Sequence, residues 1–119
     1  MVTIYGVLRS RATRPVWVME EAGAALLCSP LLASGVIAAE LLQALGDENL
    51  NATLLPKIAT GETIATAVLT GDGGSWTENG VDVTAKKVGG NWQLEGRGSY
   101  VLHAQNADVL IVIAATENG

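Results

Sequence analysis

Two different periods divide the chain. Up to about residue 60 apolar residues recur every three or four positions, and from residue 63 they alternate. Residues 1–23 read as a strand with Val2, Ile4 and Val7 at its apolar positions, a turn, and a helix starting at Thr13 with Pro15 in its first turn. From Ser29 the stripe Leu31, Leu32, Val36, Ile37, Leu41, Leu42 and Leu45 predicts a helix that stops at Gly46. Asp47 then caps another, with Leu50, Leu54, Leu55 and Ile58 on one face and Pro56 near its end. Both stripes are expected to be core. Beyond Thr60-Gly61-Glu62, strands are predicted at 63–70, 81–87, 91–95, 99–103 and 108–116, joined by Gly89-Gly90, Gly96-Arg97-Gly98 and Gln105-Asn106. The class is therefore α+β, with N-terminal helices followed by an antiparallel, incomplete β-barrel. Such a barrel keeps an open edge, which invites pairing with another chain.

Composition narrows the picture. The 119 residues suit one domain. A formal charge of −5 argues against a nucleic-acid partner, and Arg9, Arg11 and Arg14 are the densest basic cluster. The uncharged run 22–39 just reaches membrane-spanning length, but Ser29-Pro30 is a helix start in its middle. Two buried helices are expected there, and no membrane span. Cys28 and His103 are each the sole residue of their type, so neither an intrachain disulfide nor a metal cluster is expected. No secretory leader is legible, which sets a cytoplasmic expectation.

Candidate chemistry concentrates at Leu69-Thr70-Gly71-Asp72-Gly73-Gly74-Ser75-Trp76-Thr77, between the first two predicted strands. Three glycines in four positions permit positive φ and close approach of a ligand to the backbone. Consecutive amides can form an anion-binding concavity, with Thr70 and Ser75 adding hydroxyls. The same cluster is equally the chemistry of a plain turn.

Residues from about 16 to 119 resemble part of an acyl-CoA dehydrogenase. In that family helices lead into a strand with a [VL]-T-x-P-x-x-G-S-[DW] loop, then a G-x-x-[WY]-[IV] strand and a strand opening with A-D. The counterparts are Leu69-Thr70…Gly74-Ser75-Trp76, Gly96-Arg97-Gly98-Ser99-Tyr100-Val101-Leu102 and Ala107-Asp108-Val109-Leu110-Ile111-Val112. The resemblance divides residues 16–62, like the end of the family's helical domain, from 63–119, like the start of its β-barrel domain. It implies FAD as cofactor, acyl-CoA as substrate and α,β-dehydrogenation of the thioester. It assigns flavin contacts to Leu69, Thr70, Gly74, Ser75, Tyr100 and Leu102. Three features depart from the pattern: Gly71 replaces an acidic residue, the loop lacks its proline, and Leu102 replaces a hydroxyl donor. The family's catalytic base sits in a C-terminal helical domain, so the resemblance implies no catalytic residue here and a truncated protein inactive alone.

Residues 1–23 are similar instead to a glutathione S-transferase N-terminus, a strand ending Tyr5-Gly6, then Ser10, Arg11 and Trp17-Val18-Met19-Glu20-Glu21-Ala22-Gly23. That similarity would put Ser10 at the thiol-activating position. Beside the dehydrogenase-like expectation stand two alternatives. One is a non-catalytic module that docks on a full-length dehydrogenase subunit, and as a partner expectation beside that docking stands a homo-oligomer. The other is a glutathione-dependent transferase.

Overall fold

The computed structural model describes residues 13–116. Three α-helices come first: α1 (Thr13–Ala24), α2 (Ala39–Leu45) and α3 (Glu48–Thr60). A π-helical stretch, Leu31–Ala38, runs directly into α2. The strands are β1 (Ala65–Val68), β2 (Val83–Val88), β3 (Asn91–Gly96), β4 (Val109–Val112) and β5 (Ala115–Thr116). The class is α+β, as the change of period predicts.

Asp47, Gly46 and Gly61 set helix ends where the sequence puts them, whereas the helix expected to be capped by Ser29 starts one residue later, at Leu31, with Pro30 in the capping position and no side-chain cap. The Ser29 hydroxyl accepts from the Leu31 N–H at 3.3 Å, and the Asp47 carboxylate accepts from the Leu50 N–H at 3.0 Å. Gly46 and Gly61 close α2 and α3 with φ of 72° and 75°, a conformation that favours glycine. Asp47→Ala should therefore destabilise the chain by about 1 kcal/mol, read as a lower urea midpoint with unchanged slope. An unchanged midpoint would show that the capping bond contributes nothing. Among the described residues, no helix is long and apolar enough to cross a membrane.

The helical core differs from the predicted stripe. Leu42 and Ile58 are buried, with Leu54 and Leu55 packed against them, but Leu32 and Leu45 face solvent. Ala33, Ser34 and Ala38 take the inner positions instead. The wider π winding bonds each residue to one five positions away, which shifts the inward face off the 3.6-residue stripe. Small residues on that face let the helix lie close to β1, where the buried Ser34 hydroxyl accepts from the Ala65 N–H at 3.0 Å.

Among the described residues the strands form two small sheets and no closed barrel. β1 pairs with β4 in parallel, Ala65 opposite Val109 and Val68 opposite Val112. β2 lies between β3, antiparallel, and β5, parallel. The all-antiparallel expectation thus holds for the β2–β3 hairpin and for an isolated bridge between Thr70 and Ser99, while the other two pairings are parallel. The predicted strand at 99–103 is also replaced. After its bridge at Ser99 the chain turns, with Tyr100 and His103 at φ of 56° and 53°, and enters a 3₁₀ turn at Ala104–Asn106. That long way round, rather than a tight hairpin, brings β4 alongside β1 in the same direction.

Candidate functional site

Thr70 is the knot of the Gly-rich loop. It follows β1 and is buried, and its hydroxyl has three carbonyl oxygens within reach: Ser75 at 2.8 Å, Gly80 at 3.2 Å and Gly71 at 3.4 Å. One proton serves them, so the Ser75 carbonyl at the shortest distance dominates. The Gly71 N–H donates to the Gly80 carbonyl at 2.8 Å, closing the loop at its base. Two glycines make this closure possible. A Cβ on Gly71 would overlap the Asp82 carboxylate, and one on Gly80 would overlap the Ser75 carbonyl.

The loop tip is strapped to the segment after β3. Asp72 accepts from the Ser99 hydroxyl and pairs with the Arg97 guanidinium at 3.3 Å, while its carbonyl accepts from the Tyr100 hydroxyl at 3.3 Å. The Ser99 N–H donates to the Thr70 carbonyl at 2.9 Å. Gly74, at φ 65°, lies against the Tyr100 ring. Residues nearly thirty positions apart are thereby held as one unit. Sequence reasoning gave Asp72, Arg97 and Ser99 no role of their own, because contacts between residues that far apart leave no local periodicity.

Four of the six sequence-predicted residues meet in one cleft of ≈ 60 Å³, lined by Leu69, Thr70, Tyr100 and Leu102 together with Ile37, Thr66, Ala67, Trp76 and Ser99. Gly74 and Ser75 lie outside the cleft lining; a Cβ on Gly74 would meet the Tyr100 ring at 3.4 Å, and the Ser75 hydroxyl is 2.8 Å from that of Thr77. Thr66 fixes the back of the cleft by donating its hydroxyl to the Leu102 carbonyl at 2.7 Å. The outer wall is aromatic and open, with Trp76 78% and Tyr100 75% exposed. Ser10, the transferase-like candidate, lies outside the described residues.

The walls are apolar and aromatic, from Leu69, Leu102, Trp76 and Tyr100, with the Thr66 and Thr70 hydroxyls turned to carbonyls of the protein itself. They do not enclose a dinucleotide, since pockets that enclose a ligand of drug size run to about 300–1,000 Å³. Four of the loop amides are already engaged within the protein. The N–H groups of Gly71, Asp72, Gly74 and Thr77 donate to the Gly80 carbonyl, the Asp82 carboxylate, the Gly71 carbonyl and the Ser75 hydroxyl respectively. The carboxylates of Asp72 and Asp82 beside them would also repel a phosphate. No carboxylate or histidine lines the cleft, so it offers no group suited to take a proton from carbon near neutral pH.

The chain is 33% identical over 81 residues to a (2S)-methylsuccinyl-CoA dehydrogenase from Cereibacter sphaeroides. This likeness supports the acyl-CoA dehydrogenase family. It covers 68% of the chain but only 15% of that dehydrogenase. No family profile and no solved structure matches. The transferase-like resemblance of residues 1–23 gains no support from the match to an acyl-CoA dehydrogenase.

Proposed function

We propose that the chain carries one wall of a flavin site of the acyl-CoA dehydrogenase type and is inactive on its own. The convergence of Leu69, Thr70, Tyr100 and Leu102 on one cleft is the observation that carries this reading, and the likeness to a methylsuccinyl-CoA dehydrogenase supports it. Leu69, Leu102 and the rings of Tyr100 and Trp76 would hold the flat, apolar part of FAD. The Thr70 hydroxyl keeps the loop closed beneath it. When bound, FAD supplies the hydride acceptor for α,β-dehydrogenation of an acyl-CoA thioester. The base that removes the α-proton and the groups that meet the flavin pyrophosphate would come from outside the described residues.

The test is a visible spectrum of the purified 119-residue chain after FAD is added and the excess removed. A weak, rapidly lost flavin band near ~450 nm is expected, abolished by Tyr100→Ala, with no turnover of acyl-CoA. A spectrum that Tyr100→Ala leaves unchanged would remove the cleft from the site. Dehydrogenation by the chain alone would overturn its inactivity.

A further inference from the structure

The outer edge of β3 points to a partner. Among the described residues β3 is an edge strand of six residues, exposed along its whole length, in the order β3-β2-β5. Its hairpin closes through Gly89 and Gly90, both at positive φ, so the flanking Val88 and Asn91 form a hydrogen-bonded pair. Alternation then directs the backbone groups of Asn91, Gln93 and Glu95 toward β2, and those of Trp92, Leu94 and Gly96 away from it. Trp92 and Leu94, 60% and 51% exposed, share one face of the sheet with Val83, Ala85 and Lys87 of β2, Lys87 standing opposite Trp92 at the hairpin end of that face. This face runs into an apolar groove of ≈ 330 Å³ between the two sheets, lined by Val68, Val83, Leu94, Val101, Leu110 and Val112 among others.

We propose that β3 pairs with β3 of a second copy of this chain, antiparallel and with Leu94 on the two-fold axis. That register sets Leu94 opposite Leu94 and Trp92 opposite Gly96 in both directions. It brings together the three residues whose backbone groups face outward, so the narrow hydrogen-bonded pairs of the new ladder use every one of them. On the apolar face each Trp92 ring covers a residue with no side chain, and the Ala85 and Leu94 rows meet across the axis. On the other face Glu95 stands opposite Gln93 and in the same cross-strand row as Lys86 of the second copy, so opposite charges share a row and no like charges face directly. A register slipped by one residue would set Trp92 and Leu94 against polar partners and leave outward groups unmatched. The product is one continuous sheet built from two three-stranded ones. This pairing is independent of whether the cleft holds FAD.

The experiment is light scattering on the purified chain at roughly 0.1 mM, because association of this kind depends on concentration. The expected mass is twice the 12.3 kDa of one chain, and Leu94→Lys, which places like charges on the axis, returns it to 12.3 kDa with unchanged circular dichroism. A Leu94→Cys, Cys28→Ser double variant should form an interchain disulfide on mild oxidation, since Cα atoms of such a pair lie about 5.5 Å apart, within disulfide range. The matched Trp92→Cys, Cys28→Ser control should crosslink far less, as position 92 faces 96. A monomer at that concentration, a dimer that survives Leu94→Lys, or equal crosslinking at 92 and 94 would each overturn the proposal.

Discussion

Leu42→Ala lowers the unfolding free energy by about 2–5 kcal/mol. Leu42 is 1% exposed and, among the described residues, is the largest apolar side chain that is fully buried. It packs with Ala38, Ile58 and Ala65, and Leu54, Leu55, Val109 and Ile111 close around this cluster. Two of the three buried neighbours are alanines, whose single methyl groups cannot swing into the vacated space, so the loss includes a cavity as well as lost transfer energy. A domain of this size is stable by roughly 5–15 kcal/mol, so the change is a large part of the total. Because the cluster joins α2 and α3 to β1 and β4, both layers should melt together. Urea unfolding followed by circular dichroism measures it, with Leu45→Ala as control. Leu45 is 55% exposed, and its truncation should stay within about 0.5 kcal/mol. Equal effects at the two positions would show that this cluster is not the core.

Gly80→Ala should open the Gly-rich loop, while Gly73→Ala should leave it intact. A methyl on Gly80 would overlap the Ser75 carbonyl oxygen and lie 2.8 Å from the carbon that bears it. Both are backbone atoms, so no side-chain rotation relieves the clash. The loop must move, and that breaks the bond from the Thr70 hydroxyl to the Ser75 carbonyl. Overpacking of this kind costs about 1–3 kcal/mol, and a buried carbonyl left without a donor adds to it. A methyl on Gly73 meets nothing within 4 Å. Hydrogen exchange at the Gly71 amide, which donates to the Gly80 carbonyl at 2.8 Å, reads the opening directly. Much faster exchange in Gly80→Ala and near-native exchange in Gly73→Ala is the expected pair of results. Similar exchange in both variants would mean that this closure does not hold the loop.

The contrast between these glycines marks what local sequence can convey. Gly46, Gly61, Gly89 and Gly90 punctuate turns, and their roles follow from neighbouring periodicity alone. Gly71, Gly80 and Gly98 are required by atoms that the fold brings in from Asp82, Ser75 and Val68. Nothing beside Gly98 in the chain announces that the Val68 side chain will lie against it. Similarly, Tyr100 and Leu102 follow a pattern that reads as strand, and only the turn at Tyr100 swings both onto the cleft beside Leu69.

The sequence by itself determined the two periods, the cap at Asp47, the Gly-Gly hairpin and the α+β class. Each is an interaction between residues close along the chain, whose strength depends little on the rest of the molecule. Only the tertiary structure decided that the π-helical stretch presents Ala33, Ser34 and Ala38 rather than its leucines, and that β1 pairs in parallel with β4. It also decided that Thr70 turns its hydroxyl into its own loop. These outcomes rest on contacts between distant residues, where packing distance and the need to satisfy buried polar groups outweigh local preference.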